Sequence, residues 1–423
     1  MNENPTKNII RRKAVLLNKV PKGVWFLFIV WPFASFIYAL RRYKAPWTSK
    51  IFLGFAAFFG FTFVRYGDAD RVANMLKNMR GIGIIDVFAD YFATESGKLD
   101  IVYTIITYVV SIFTDDYRFL FAILAFIFTF FITKSLIFLI QHSFGRIGWL
   151  DGLMLIAFAF TVQVWYLGGR WNLAALVFSY GLLMYFYTNN RKFLFLSFFS
   201  VLIHWTFFIV IPIVLLYFFA KNKTLVYFVF FLISFFFSAI STPIAQNAFE
   251  EYAPEAILES RKSYFNEEVI ESTKTHNELA NWYVTGHRIA INIYILVAAS
   301  FLFLHKQTII RRSRPLFNLF NFSLLFLGIA NSFSSIQNME RFFTVGHWLF
   351  LAFFFLYLHE VRGRFHPLIK TFGIIVLAIY IIVRIRIAID FISVWTVFGN
   401  PLFVYFVDNE TPIIDVIKWI LPI

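Results

Sequence analysis

The sequence contains no cysteine and little charge. The absence of cysteine excludes disulfides, thiolate metal sites and a cysteine nucleophile. Only 15% of the 423 residues are charged, whereas a soluble protein carries about a quarter. The chain also lacks a GxxxxGK[ST] loop, an HExxH motif, clustered metal ligands and a glycine-rich dinucleotide loop. These absences argue against a soluble domain, a nucleotide-dependent enzyme and a metalloprotease.

Hydrophobic residues make up 60% of the chain, and sixty of them are phenylalanine. They form repeated runs close to the length that crosses a hydrocarbon layer of ~30 Å. Because the runs are continuously apolar rather than alternating, they predict helices and not a transmembrane barrel. We therefore expect an all-α, polytopic integral membrane protein with about ten to thirteen membrane segments, including re-entrant or half helices. With no repeat and no soluble segment, 1–423 is predicted to form a single membrane domain.

The net charge of +14 is distributed in short basic clusters between apolar runs. Such clusters are typical of cytoplasmic loops, so the lipid bilayer rather than a nucleic acid is the expected partner. Residues 1–23 carry six Lys/Arg against one Glu, which predicts a basic cytoplasmic N-terminus. The alternation of runs then predicts three external segments: a loop with short helices at 65–98, an acidic loop at 241–287 with eight Glu, and a tail at 393–423.

Two apolar runs have basic residues at both ends. The run 24–40 is interrupted by Trp31-Pro32, which predicts a re-entrant or interfacial segment. The run 193–220 would span ~42 Å as one helix. We expect instead a hairpin of two half-helices with His204-Trp205 near its tip. Between two other runs, Thr114-Asp115-Asp116 predicts a turn with a helix cap.

The external side of this topology collects charged residues in which Arg prevails over Lys, against the usual bias. Guanidinium groups make bidentate contacts with phosphate oxygens, and histidine transfers protons near neutral pH. The pattern predicts an external site for a lipid-linked diphosphate and an acceptor hydroxyl, with no metal and no cofactor. The candidates for diphosphate binding are Arg65, Arg71, Arg170, Arg341, Arg384 and Arg386, and the candidates for catalysis are Asp68, Asp70 and His204.

Each candidate also has a simpler interpretation. Arg170 follows Gly168-Gly169 and would then be a plain interfacial cation, and His204 would be part of an aromatic belt. Asp70 and Arg71 would form a local ion pair worth under about 1 kcal/mol. Near the end of the last run, Arg384, Arg386 and Asp390 either pair with each other or face a cavity. Four other histidines are expected to be ordinary surface residues of cytoplasmic loops: His142, His305, His359 and His366.

The order of these motifs resembles the EpsG family of Wzy-like bacterial polymerases, which polymerise exopolysaccharide and O-antigen repeat units. The resemblance rests on Asp68/Asp70-Arg71, Arg170-Trp171-Asn172-Leu173-Ala174-Ala175, Ile203-His204 and Arg341. By position, Asp70, Arg71, Arg170, His204 and Arg341 would inherit the site roles. The family often has Tyr where Val72 stands here, so Asp68 and Asp70 remain alternative candidates.

The resemblance implies a metal-independent glycosyltransferase with a GT-C-like architecture in the bacterial inner membrane. It would transfer a growing glycan from undecaprenyl diphosphate onto a lipid-linked repeat unit at the external face. Undecaprenyl-diphosphate-linked glycans would be its substrates, with a flippase and a chain-length regulator as candidate protein partners.

Two other functions compete with polymerisation. A glycosyltransferase that uses a polyprenyl monophosphate sugar would need an acidic catalytic pair, which Asp68 and Asp70 could supply. A lipid-linked oligosaccharide flippase or transporter would carry charges at mid-membrane depth and internal pseudo-symmetry. The sequence shows no repeat that would support the second alternative.

Overall fold

The computed structural model describes twelve parts of the chain: 19–65, 67–92, 100–143, 147–163, 165–221, 223–236, 282–305, 309, 312–334, 339–361, 366–407 and 410–420. The regular secondary structure in these ranges is helical, and the β contact among them is an isolated antiparallel bridge between Ser393 and Pro412. The predicted all-α class is therefore confirmed.

The described residues form eighteen α-helices, numbered here in chain order. In the first half they are α1 Lys22–Val30, α2 Pro32–Arg41, α3 Thr48–Phe61, α4 Asp68–Met79, α5 Ile84–Phe92, α6 Ile101–Phe113, α7 Tyr117–Gln141, α8 Trp149–Thr161 and α9 Arg170–Thr188. In the second half they are α10 Arg191–Ile203, α11 Val210–Ala220, α12 Thr224–Phe236, α13 Trp282–Leu304, α14 Arg314–Ser332, α15 Phe342–Glu360, α16 Pro367–Ala388, α17 Val394–Phe398 and α18 Ile413–Ile420.

Five helical segments in the described ranges are long and apolar enough to cross a membrane: Tyr117–Gln141, Gly286–Leu304, Arg314–Ser332, Met339–Glu360 and Pro367–Phe391. Five more are apolar but only 10–17 residues long. A helix rises 1.5 Å per residue, so these shorter helices cover only part of a hydrocarbon layer. The chain is thus a multi-pass membrane protein that mixes full-length and half-length helices, as expected.

Helix α9 lies at the centre of the bundle, and most of its residues are buried. Small side chains let neighbouring helices approach it closely. A Cβ on Gly181 would lie 2.7 Å from the carbonyl oxygen of Phe193 on α10. On the next turn, the Ser197 hydroxyl donates to the carbonyl oxygen of Phe178 at 3.0 Å. The close packing fixes α10 along α9, and with it the position of the segment that follows α10.

The run 193–220 is a hairpin, as predicted. Its first half, α10, ends at Ile203, and His204 has an extended backbone with φ −148°. A short 3₁₀ helix, Trp205–Ile209, then leads into α11. Because α11 returns along α9, Tyr217 packs against Phe186 near the far end of α9, with ring centroids 5.7 Å apart. His204 therefore lies at the tip, beside the N-terminus of α9.

Two other predicted breaks are confirmed. Helices α1 and α2 are separated at Trp31, and the Ser35 hydroxyl donates back to the carbonyl oxygen of Val24 at 3.3 Å. The side chain of Asp116 caps α7 by accepting from the backbone N–H of Arg118 at 3.0 Å. The re-entrant character of the first segment stays a prediction.

The structure corrects several predicted boundaries. Helix α8 ends at Thr161 rather than near residue 167, and Arg170 is the first residue of α9. The described residues between them, 162–163 and 165–169, form a loop, here called the loop 162–169. The predicted loop 241–287 lies outside the described residues up to 281, and its last part, 282–287, belongs to α13. The predicted loop 65–98 contains α4 and α5, as expected, although 93–98 are not among the described residues.

Candidate functional site

A cavity of about 650 Å³ opens where α9 begins. Its lining comes from the start of α4, the loop 162–169, the start of α9, the hairpin tip, α13, the segment that leads into α15, and the end of α16. The polar and charged side chains of this lining are Asp68, Arg71, Gln163, Tyr166, Arg170, Asn172, His204, Arg288, Asn292, Glu340, Arg341, Thr344, His347, Tyr380 and Arg384.

Six of the nine predicted site residues line this cavity: Asp68, Arg71, Arg170, His204, Arg341 and Arg384. They come from five separate parts of the chain, and the fold brings them together. The interpretation of Arg170 and His204 as unrelated interfacial residues is therefore not supported by their positions.

The other three predicted residues, Arg65, Asp70 and Arg386, are placed elsewhere. Asp70 lies two residues after Asp68 on α4, and two helical residues differ by about 200° in direction. The same rotation separates Arg386 from Arg384 on α16. As a result Arg386 pairs with Asp390 at 2.9 Å, outside the cavity.

Arg65 belongs to a separate cluster of charged side chains outside the cavity. Its guanidinium pairs with Glu410, lies over the ring of Tyr117 at 4.2 Å and approaches Asp70 at 3.9 Å. Burial alone would lower the pKa of Arg65, but the hydrogen bond that Arg65 donates to Glu410 and the nearby charges raise it. Arg65 is held in this cluster rather than in the cavity.

Two adjacent glycines allow the loop 162–169 to touch α4. A Cβ on Gly168 would lie 2.6 Å from the backbone nitrogen of Ala69, a distance that real Cβ atoms do not reach. A Cβ on Gly169 would meet the side chains of Tyr166 and Asn172 at 2.6 and 2.8 Å. The Gly-Gly pair is thus a packing requirement, and it places Tyr166 next to the first turn of α4.

Asp68 is held from two sides. Its Oδ1 pairs with Nη2 of Arg71 at 2.9 Å, and its Oδ2 accepts from the Tyr166 hydroxyl at 3.0 Å. Burial and the charge of Asp68 raise the pKa of Tyr166, so its hydroxyl remains a donor. The simpler interpretation, a local ion pair between Asp70 and Arg71, is not borne out, because Arg71 pairs with Asp68 instead.

Arg170 and the hairpin tip share one carboxylate. Oδ2 of Asp100 lies 2.9 Å from Nη1 of Arg170, and Oδ1 accepts from the backbone N–H of Trp205 at 3.0 Å. Asp100 is only 4% exposed. Next to it, the Tyr103 hydroxyl donates to the carbonyl oxygen of Leu167 at 3.2 Å. The start of α6 therefore joins the loop, α9 and the hairpin tip.

His204 caps the 3₁₀ helix at the tip. Its Nδ1 lies 2.8 Å from the hydroxyl of Thr206 and accepts from the backbone N–H of Thr206 at 3.4 Å. The ring is half-buried and lines the cavity. The turn itself thus contributes to the orientation of the ring.

Three arginines of the cavity have no carboxylate oxygen within 4.0 Å among the described residues: Arg288, Arg341 and Arg384. Arg384 is only 6% exposed, and its hydrogen bonds go to the neutral Tyr380 hydroxyl and to the carbonyl oxygen of Thr161, both at 3.1 Å. A buried cation without a counter-ion is costly. The arrangement therefore suits an anionic ligand.

The sequence did not single out Arg288, Asp100 or His347. Arg288 was missed because it directly follows the predicted loop 241–287. It is nevertheless an Arg at the edge of an apolar run, which is the same signal that identified Arg384. His347 is 5% exposed and its Nε2 lies 2.5 Å from Oδ1 of Asn292. For His347 and for Asp100, the partners lie far away in the sequence, and no motif of fixed spacing connects them.

A second group of polar side chains lies at the opposite end of α15. His359 is 6% exposed and its Nε2 is 3.6 Å from Asp151, so it is not the surface residue that was expected. His142 is partly buried, 4.0 Å from Glu360. His305 and His366 lie at helix ends and are exposed, as predicted.

In the described part of the chain, no group of three His, Asp or Glu is placed to hold a metal ion.

A comparison with protein families gives one match. The model of the EpsG family matches residues 48–407, which is most of the chain and includes every residue of the cavity. No curated protein and no solved structure matches the sequence.

Proposed function

The chain belongs to the EpsG family, and on that premise we propose that it is a polysaccharide polymerase with a GT-C-like architecture. It transfers a growing glycan from undecaprenyl diphosphate onto a lipid-linked repeat unit. The reaction takes place at the external face of the bacterial inner membrane, with the N-terminus in the cytoplasm. A flippase supplies the substrate, and a chain-length regulator acts on the product.

The observation that carries this proposal is the convergence of Arg288, Arg341 and Arg384 on one cavity, with no carboxylate partner within 4.0 Å among the described residues. Guanidinium groups bind phosphate oxygens through paired N–H donors. Glu340 lines the same part of the cavity, so these four side chains carry a charge of about +2. That charge balances the two ionised oxygens of a diphosphate diester better than the single one of a monophosphate diester.

The proposed reaction is a displacement at the anomeric carbon of the donor sugar. The acceptor hydroxyl oxygen forms the new bond to this carbon, and the bond from the carbon to the diphosphate oxygen breaks. The electron pair leaves with undecaprenyl diphosphate, whose growing charge the arginines stabilise. The hydroxyl proton passes to Asp68 or to His204. Arginine side chains supply the positive charge, and we propose that the enzyme is metal-independent.

A matched pair of substitutions on α16 tests the proposal. Arg384→Gln removes an arginine of the cavity, whereas Arg386→Gln removes one that pairs with Asp390 outside it. In a strain that lacks the native gene, both variants are expressed and glycan length is read on gels. We expect single repeat units from Arg384→Gln and normal polymer from Arg386→Gln. Normal polymer from both variants, at normal protein levels, contradicts the proposal.

The choice of donor separates the polymerase from a polyprenyl-monophosphate-dependent glycosyltransferase. Purified wild-type protein in liposomes is given the same saccharide on undecaprenyl diphosphate or on undecaprenyl monophosphate. We expect polymer from the diphosphate alone. Transfer from the monophosphate supports the second enzyme, and movement of the lipid across the bilayer without any transfer supports a flippase.

A further inference from the structure

The five arginines of the cavity fall into two groups that come from different helices. Arg71 and Arg170, here called the paired arginines, each contact a carboxylate at 2.9 Å, from Asp68 and Asp100 respectively. Arg288, Arg341 and Arg384, the unpaired arginines, have no such partner among the described residues. The positive charge that carboxylates of the described residues leave uncompensated therefore comes from α13, the segment that leads into α15, and α16.

The part with the paired arginines is polar but close to neutral. Tyr166 adds a hydroxyl that is fixed on Asp68, and Gln163 and Asn172 add amide groups. The Gln163 side chain lines the cavity and makes no hydrogen bond to another described residue. His204 also lines the cavity, on the hairpin tip that shares Asp100 with Arg170.

We propose that the paired arginines and these neighbours form a saccharide subsite, which binds sugar hydroxyls next to the diphosphate. This inference rests on the proposed function, because it assigns the two ends of one lipid-linked glycan to the two groups of arginines. The diphosphate binds the unpaired arginines, and the adjoining sugar binds Asp68, Arg71, Tyr166 and Gln163.

The chemistry of the sugar matches the neutral set of side chains around the paired arginines, as the charge of the diphosphate matches the unpaired arginines. A sugar is neutral and rich in hydroxyls, each of which both donates and accepts, so it requires fixed donors and acceptors and no net charge. Asp68 is held by Arg71 and Tyr166, yet its side chain remains 45% exposed. A carboxylate has about four lone-pair sites, so Asp68 can still accept from sugar hydroxyls. Preorganised polar groups of this kind lose little entropy on binding.

Two ligands that differ only in the saccharide test this assignment. Undecaprenyl diphosphate carries the lipid and the diphosphate, and the lipid-linked repeat unit carries the sugars in addition. Binding of each is measured on the purified full-length protein in nanodiscs. The variants are Tyr166→Phe, which removes only a hydroxyl, and Asp68→Asn. Asp70→Asn is the matched control, because it changes the same helix on its other side.

We expect Asp68→Asn and Tyr166→Phe to weaken binding of the lipid-linked repeat unit by about tenfold and about threefold, as charged and neutral hydrogen bonds do. Binding of undecaprenyl diphosphate should change less than about twofold in both variants. Asp70→Asn should change neither affinity. Arg384→Gln should weaken both ligands by the same factor, because it removes a diphosphate contact that the two ligands share.

Two results overturn the saccharide subsite. One is an equal loss of both ligands in Tyr166→Phe and Asp68→Asn, with the melting temperature unchanged. The other is wild-type affinity for the repeat unit in both variants. If the wild-type protein binds neither lipid, the proposed function itself fails, and that outcome is distinct from failure of the subsite.

Discussion

Asp100 and Arg170 form an ion pair at 2.9 Å, and the second oxygen of Asp100 holds the backbone of Trp205 at the hairpin tip. One buried carboxylate thus fixes an arginine of the cavity and the turn that carries His204. Arg170 and His204 lie 34 positions apart in the sequence. Their proximity depends on Asp100, which directly precedes α6 and contacts both.

The first prediction concerns this carboxylate. Asp100→Asn retains an oxygen for the Trp205 N–H but removes the charge that orients Arg170. We expect a fall in polymerisation of about 10²-fold, because small displacements of positioned groups have effects of this size. The measurement is the initial rate of polymer formation with purified protein, together with its melting temperature.

Asp116→Asn is the control for Asp100→Asn, because Asp116 also precedes a helix and pairs with an arginine, Arg118, at 2.6 Å. It does not line the cavity and should leave the rate unchanged. If Asp100 acts through Arg170, the double variant Asp100→Asn/Arg170→Gln should be no slower than Arg170→Gln alone. Losses that multiply in the double variant would show that Asp100 has only a general role in folding.

The second prediction concerns Gly168. A Cβ at this position would lie 2.6 Å from the backbone of Ala69, and backbone cannot rotate away as a side chain can. Gly168→Ala should therefore displace the loop 162–169 from α4 and destabilise the protein by about 1–3 kcal/mol. We expect shorter polymer and a lower melting temperature. Gly152→Ala on α8 is the control, since nothing lies within 4 Å of its added Cβ.

The third prediction concerns the hairpin tip. His204→Ala removes a proton acceptor of the cavity and the cap of the 3₁₀ helix. We expect a rate loss of about 10²-fold or more if the imidazole takes the acceptor proton. His204→Asn preserves a capping side chain, so it separates the two roles. A rate in His204→Asn close to that of wild type would leave Asp68 as the proton acceptor. His305→Ala, at an exposed helix end, should have no effect.

The fourth prediction concerns pH. Burial and the charge of Asp68 raise the pKa of Tyr166 above its ordinary value. The phenol is uncharged below its pKa, so a raised pKa keeps it as a donor throughout the neutral and mildly alkaline range. Tyr166→Phe should therefore lower activity by a similar factor from pH 6 to about pH 9. A shift of the alkaline limb of the rate profile in Tyr166→Phe would contradict this assignment.

Much of the architecture could be predicted from the sequence. Apolar runs of membrane length predict helices, because lipid offers no hydrogen-bond partner to the backbone. The breaks at Trp31 and at His204 were predicted from Pro32 and from the length of the run 193–220, and both are present. Boundaries were less accurate where apolar residues continue past the end of a helix, as they do after Thr161.

The candidate site was only partly predictable. The sequence favoured arginines and acidic residues in external segments, and six of the nine named residues line the cavity. Asp70 and Arg386 were included because they share a segment with Asp68 and Arg384. In the structure they lie on other sides of α4 and α16, where Asp70 approaches Arg65 and Arg386 pairs with Asp390.

The sequence by itself determined that this protein resides in a lipid bilayer, that it is helical, and which kinds of side chain are available to a site. Those properties depend on composition and on the spacing of residues along one chain. The tertiary structure alone decided which arginines have carboxylate partners and which do not. Asp100, Arg170 and Trp205 meet only when the N-terminal ends of α6, α9 and the 3₁₀ helix come together. The charge of the cavity follows from that packing.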